Sequence, residues 1–172
     1  PYTRPGSGGS IYLVAGSLSG AGVISANGGS NTTYFGGGGG RVALVVTNTG
    51  ADFLSFTGIV SAYGGVGGSY GSGCAGTIYR EKKIDLPGKG ELIVNNAGGA
   101  IAYATLNTDL NGLEAVTYEF SRITLTNNGI LNIGSNDTLI VTNTVLVGSG
   151  LGNGIWISGG ILRAPSTFVF SN

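Results

Sequence analysis

The 172-residue chain carries eight basic and eight acidic residues, a formal net charge of zero, and no His. Charged residues make up 9% of it, against about 25% in an average soluble domain, so no basic field exists to hold a phosphate backbone and nucleic acid is not an expected partner. Hydrophobic residues at 41% supply enough material for one continuous core, while 35 glycines among many Ser, Thr and Asn favour strands and tight turns over helices.

Taken in chain order, the first elements repeat. Gly8-Gly9-Ser10-Ile11-Tyr12-Leu13 is echoed by Gly39-Gly40-Arg41-Val42-Ala43-Leu44, and again by Ala75-Gly76-Thr77-Ile78-Tyr79. Between these, Ile24-Ser25-Ala26-Asn27-Gly28-Gly29 returns as Val60-Ser61-Ala62-Tyr63-Gly64-Gly65, with the same spacing that separates Val42 from Ile78. Each unit reads as a glycine run, a short apolar strand, a turn, a second strand and a Gly-Gly turn. Internal repetition of this size marks a repeat architecture.

Residues 80–91 concentrate the chain's charges, from Arg80-Glu81-Lys82-Lys83 to Glu91, together with Pro87. They read as a solvated loop or a boundary between sub-blocks. Residues 112–120 are the best helical candidate, but Val116, Thr117, Tyr118 and Phe120 are strand formers. From Ile123 onward, apolar residues alternate in bursts: Ile123 and Leu125, Leu131 and Ile133, Leu139 and Val141, Val145 and Val147, Ile155 and Ile157. Period-two alternation buries one face of each burst. Leu125 to Val147 and Ile133 to Ile155 are equal intervals, each the length of one three-strand coil. The last segment, Ser166-Thr167-Phe168-Val169-Phe170, is an apolar strand that needs cover and is a candidate assembly strand.

The expected fold is all-β: a right-handed parallel β-helix, or β-solenoid, of about six coils spaced roughly 4.8 Å apart. It forms one domain over 1–172, with looser glycine-rich coils over 1–79, the charged loop over 80–91 and tighter coils over 92–172. The competing fold is an antiparallel β-sandwich, which short strands and frequent turns also describe. The glycine runs, 36–40 above all, are read as turns that bulge out of the coils, with hydrogen-bonded polyglycine strands as the alternative.

The blocks at 6–13, 20–29, 36–44 and 75–79 resemble the glycine-rich blocks of very large secreted bacterial proteins of the adhesin-like β-helix type. Similar blocks occur in some plant glycine-rich extracellular proteins. The resemblance covers about residues 5–96 and implies a surface or extracellular repeat protein. It carries no catalytic residue with it.

Chemistry is sparse. Asp52, Asp85, Asp109 and Asp137 stand singly, Glu114 and Glu119 would face opposite ways on a strand, and all read as isolated solvated acids, so the carboxyl pair of a glycosidase is not expected. Without His there is no conventional triad and no imidazole ligand. Gly67-Gly68-Ser69-Tyr70-Gly71-Ser72 lacks the Asp of calcium-binding nonapeptides. No enzyme, metal or cofactor is therefore expected.

Aromatic residues are the remaining handle. Tyr34, Phe35, Tyr63 and Tyr70 lie beside the glycine-rich segments and can stack on a surface glycan or anchor a partner. Trp156, between Ile155 and Ile157, should point outward, where a neighbouring subunit can cover it. Asn31-Thr32-Thr33 and Asn136-Asp137-Thr138 are glycosylation sequons.

The lone Cys74 makes no intrachain disulfide, and no apolar run approaches the roughly 20 residues of a membrane span. Lacking Met, the chain reads as part of a longer or processed protein whose signal peptide is upstream or removed. The combined expectation is an extracellular or cell-surface scaffold, stalk or filament subunit that associates with itself or with neighbouring domains. An adhesin or carbohydrate-binding module is the alternative, and a polysaccharide-degrading enzyme comes after it.

Overall fold

The computed structural model describes residues 5–96, 107–110, 114–148 and 152–170. They contain no helix. The strands are β1 (Ser10–Ala15), β2 (Val23–Ser25), β3 (Arg41–Val46), β4 (Ile59–Ser61), β5 (Thr77–Lys82), β6 (Glu91–Asn95) and β7 (Thr108–Leu110). These are followed by β8 (Thr117–Thr126), β9 (Ile130–Ile133), β10 (Thr138–Val147), β11 (Gly154–Ile157), β12 (Ile161–Arg163) and β13 (Thr167–Phe170).

One eight-stranded sheet runs β1-β3-β5-β6-β8-β10-β12, with β13 also paired to β10. A three-stranded sheet, β11-β9-β7, and a two-stranded sheet, β2-β4, lie apart from it. Among the described residues every strand pairing is parallel except β5 with β6. Parallel neighbours require long connections between them, so an antiparallel sandwich does not describe the chain.

The sequence repeats are the strand register. Ile11 lies beside Val42, and Val42 beside Ile78, while Ile24 lies beside Val60. Residues at like positions of the repeat therefore bury together. Val42, Leu44 and Ile78 form one core cluster with Ala26 and Ala62, and Ile11, Leu13, Ile24 and Val60 pack against it. A second cluster fills the space between β6, β8 and β10 on one side and β9 on the other. Ile123, Leu125, Leu131, Ile133, Leu139 and Val145 are fully buried there. Each such side chain contributes about 1.5–3 kcal/mol through burial.

The finer beat differs from expectation. Leu125 does lie beside Val147, as the repeat requires. Ile155, however, lies beside Leu131 rather than Ile133, and Ile157 lies beside Ile133, so this repeat interval is longer than the one before it. The connection after β10 takes up the difference. Asn153 braces it by accepting from the Gly129 N–H at 3.0 Å and donating to the Gly148 carbonyl at 3.0 Å. The bursts at 139–141 and 145–147 are one strand, β10, whose pairing with β8 shifts between Val141 and Thr144. At the corner after β8, Asn127 and Asn128 take φ of 50° and 65° and the Gly129 N–H reaches the Thr126 carbonyl at 2.9 Å. Two left-handed central residues closed in this way make a type I′ turn, which Asn tolerates.

The charged segment is not simply a loop. Arg80, Glu81 and Lys82 lie in β5 beside Leu44, Val45 and Val46, and Glu91 opens β6. Between them, Leu86-Pro87-Gly88-Lys89 reverses the chain. Gly88 has φ of 76° and the Lys89 N–H donates to the Leu86 carbonyl at 2.9 Å. Pro in the second place and a left-handed Gly in the third are the requirements of a type II turn. The reversal sets Ile78 opposite Ile93 in the one antiparallel pair. Strands β6, β8 and β10 therefore run against β1, β3 and β5.

The largest departure concerns the glycines. Residues 36–40 do not bulge outward and have no positive φ; Gly37 and Gly40 are buried. The N–H of Gly73 donates to Gly65, that of Gly65 to Gly37, that of Gly37 to Gly29 and that of Gly29 to Gly6, all at 2.8–2.9 Å. Five segments are thus linked, backbone to backbone, by one line of hydrogen bonds. A Cβ on Gly28, Gly39 or Gly64 would come within 2.0–2.1 Å of a carbonyl oxygen on another segment. Absence of a side chain is what lets these segments touch, and the bonded polyglycine alternative describes 36–40 better than the turn reading does.

Candidate functional site

The glycine-rich segments end in two connections that carry aromatic rings. Asn31 shapes the first: its Oδ1 accepts from the Thr33 and Tyr34 N–H groups at 2.8 and 2.9 Å. The rings of Tyr34 and Tyr70 then stack at 5.7 Å between centroids with 13° between planes. Phe35 leans on Tyr70 at 5.4 Å and 44°. Phe35, Tyr70 and neighbouring Val66 are exposed. Three of the four aromatic residues expected beside the glycine-rich segments have their rings in contact. Tyr63 stands apart, half-buried, with its N–H bonded to Asn27 Oδ1 at 2.8 Å.

The candidate assembly strand β13 lies at one end of the large sheet, with Phe168 half-buried against the core and its ring 5.0 Å from that of Phe170. Val169 and Phe170 are exposed there, as are Tyr12 and Val14 on β1 at the opposite end.

Trp156 points away from the core, as expected. Ile155 packs on the core, whereas Ile157, expected to face inward, is exposed, because β11 is the outer strand of its sheet. In register beside Trp156 stands Asn132, and beside Asn132 stands Asp109. The row is hydrogen-bonded. Asn132 Nδ2 donates to Asp109 Oδ1 at 2.7 Å, and Ser158 Oγ donates to Asn132 Oδ1 at 2.7 Å. Asn107 Nδ2 adds a third bond, to Asp109 Oδ1, at 3.0 Å. The sequence did not mark Asp109 and Asn132 as site residues, because setting Ile155 beside Ile133 places neither next to Trp156. Counting the polar residues between inward-facing pairs is the signal that finds them.

The acids are not uniformly solvated. Asp137 is fully buried and accepts from the Val116 N–H at 3.1 Å. Asp85 accepts from the Lys82 N–H at 2.9 Å and lies 3.7 Å from the Arg122 guanidinium. Glu119 pairs with Lys89. Most of these carboxylates tie connections to strands. Cys74 is half-buried, and burial pushes its thiol pKa up, which is the environment of an inert thiol. Among the described residues no group of three or more His, Cys, Asp or Glu is placed to hold a metal ion. An open cleft of about 410 Å³ is lined by Asp52, Lys82 and Lys83 among others.

The chain matches no family model, no curated protein and no solved structure. Its candidate sites therefore rest on their own geometry: an aromatic tip, two apolar sheet ends and one polar row beside an indole.

Proposed function

We propose that this chain is a right-handed β-solenoid module of an extracellular or cell-surface protein, and that it serves as a self-associating scaffold. Parallel register of Ile11 with Val42, of Val42 with Ile78 and of Leu125 with Val147 supports stacked coils. The observation that carries self-association is the pair of apolar strands β1 and β13 at opposite ends of the large sheet, where β13 shares its end with β12, which carries Arg163. Edge strands are ordinarily blunted by charge or proline. Neither β1 (Ser-Ile-Tyr-Leu-Val-Ala) nor β13 (Thr-Phe-Val-Phe) contains either. Tyr12 is 75% exposed at one end and Phe170 is 68% exposed at the other.

Because strand direction reverses between β5 and β6, β1 runs against β13. A second copy that continues the sheet end to end therefore meets it in antiparallel pairing, which is slightly the stronger arrangement per residue. Sizing the protein and imaging it by negative-stain electron microscopy tests this. Regular fibres or concentration-dependent oligomers that disappear in Val14→Lys or Val169→Lys support the scaffold. A monomer at every concentration, with no fibres, removes it.

A second reading, an adhesin, is favoured by the stacked Tyr34–Tyr70 pair with exposed Phe35 beside it. Rings held on a backbone-locked base offer contact area at little entropic cost. Beads coated with the protein are compared with beads carrying Phe35→Ser, Tyr70→Ser for retention on glycan-coated surfaces. Equal retention discards the tip as a contact.

A further inference from the structure

The geometry points to a binding site for a neutral oligosaccharide on the outer face of β7, β9 and β11, where Asp109, Asn132 and Trp156 form one row. Leu131 and Ile133 are buried in the core, so Asn132 between them faces the other way. Leu110 and Ile155 likewise pack inward, which turns Asp109 and Trp156 to the same outer face. Trp156 is 40% exposed, and Asn132 is 9% exposed. Two strand spacings separate indole from carboxylate, about 10 Å, a span suited to a short run of sugar rings.

The chemistry is that of a sugar rather than a protein surface. An indole face is electron-rich and accepts the weakly positive C–H face of a pyranose. At the other end, Asp109 Oδ1 already accepts from Asn107 and Asn132. Its Oδ2 has no hydrogen-bond partner among the described residues and is left to accept a ligand hydroxyl. Asn132 is locked at both ends of its amide, by Asp109 and by Ser158, so the row needs no rearrangement to bind. Ser158 donates its proton to Asn132, which leaves its oxygen as a further acceptor. A row that presents acceptors and one negative charge selects hydroxyl donors and disfavours uronates, whose carboxylates it repels. The site lies on a sheet face and does not depend on self-association.

Trp156 is the chain's single tryptophan, so its emission reports this site alone. Cellotetraose, xylotetraose, chitotetraose and tetragalacturonate are titrated separately against the full chain. The expected result is a saturable emission change with at least one of the neutral tetramers and none with tetragalacturonate. By calorimetry, Asp109→Ala weakens binding about tenfold or more, as expected for losing a hydrogen bond to a charged group. Trp156→Ala removes binding and Trp156→Phe weakens it, while Tyr70→Ala at the aromatic tip leaves it unchanged. Circular-dichroism melts confirm that each variant folds. No emission change with any neutral tetramer at millimolar concentration overturns the proposal. So does binding that survives both Asp109→Ala and Trp156→Ala in folded protein, or equal binding of the uronate.

Discussion

Gly65 donates its N–H to the carbonyl of Gly37 at 2.8 Å, and a Cβ on Gly65 would lie 2.0 Å from the carbonyl oxygen of Gly29. One residue is thus bonded to one segment and pressed against another. The glycine-rich half is thus tied by main-chain contacts in addition to the side-chain core around Val42, Leu44 and Ile78.

Gly65→Ala is expected to destabilise the protein by about 3 kcal/mol or more, at the upper end of what overpacking costs, because its obstacle is backbone and cannot swing aside. Gly9→Ala is the control. Nothing lies within 4 Å of a Cβ at Gly9 and its φ is not positive, so the change should be neutral or stabilising by up to about 1 kcal/mol through the unfolded chain. Urea denaturation of both variants reads the difference, and similar midpoints would contradict the close-approach account.

Folding and assembly should separate by position. Leu125, fully buried, is expected to lose about 2–5 kcal/mol on replacement by Ala. Tyr12→Ala, at an exposed end, should change unfolding by no more than about 0.5 kcal/mol while reducing the concentration-dependent sedimentation that the proposed self-association predicts. Thermal melts and analytical ultracentrifugation on the same samples distinguish the two effects.

Alkaline pH should weaken the turn between β5 and β6. Burial, and then the 2.5 Å hydrogen bond donated to Glu81, push the pKa of Tyr79 well above the ordinary phenol value. Burial raises Tyr118 as well. The folded state therefore keeps protons that the unfolded chain releases above about pH 10. Stability is unaffected below that pH and falls as pH rises beyond it. Tyr79→Phe should cost about 1 kcal/mol near neutrality, because the Gly90 N–H loses its acceptor, and should flatten the alkaline decline. Urea midpoints from about pH 8 to about pH 11 measure both.

Asp137 anchors the start of β8 from a fully buried position. Asp137→Ala strands the Val116 N–H and should cost about 1–3 kcal/mol. Asp137→Asn keeps an acceptor there and should cost less. Equal losses in chemical denaturation would mean that the charge, not the hydrogen bond, matters.

Part of this architecture is legible in the residues. Ile11, Val42 and Ile78 announce their register by self-similarity, and the alternation of Ile123, Leu125, Leu131 and Ile133 announces which face is buried. The glycines are ambiguous because a turn and a close approach both demand the loss of Cβ, and only the segment lying opposite tells them apart. Pro87-Gly88 signals a turn, yet nothing local says that the next strand returns antiparallel beside its predecessor. The row at Trp156 is hidden for a related reason. Its neighbours depend on the length of the connections between strands, which vary from one to the next.

The reversal at Ile78 and Ile93 also bears on how the molecule is made. Their strands are joined by a short hairpin, whereas pairing β1 with β3 or β3 with β5 closes a whole sequence repeat, as from Ile11 to Val42 or from Val42 to Ile78. Short loops close at lower entropic cost and sooner. The hairpin at the middle of the large sheet is therefore expected to form first, with order spreading from it toward both ends. Hydrogen exchange pulsed during refolding should protect the Ile78 and Ile93 pair first. Strands β1 and β13, the edges of the proposed self-association, would then be the last to form, so each molecule would be complete before those edges were available to pair.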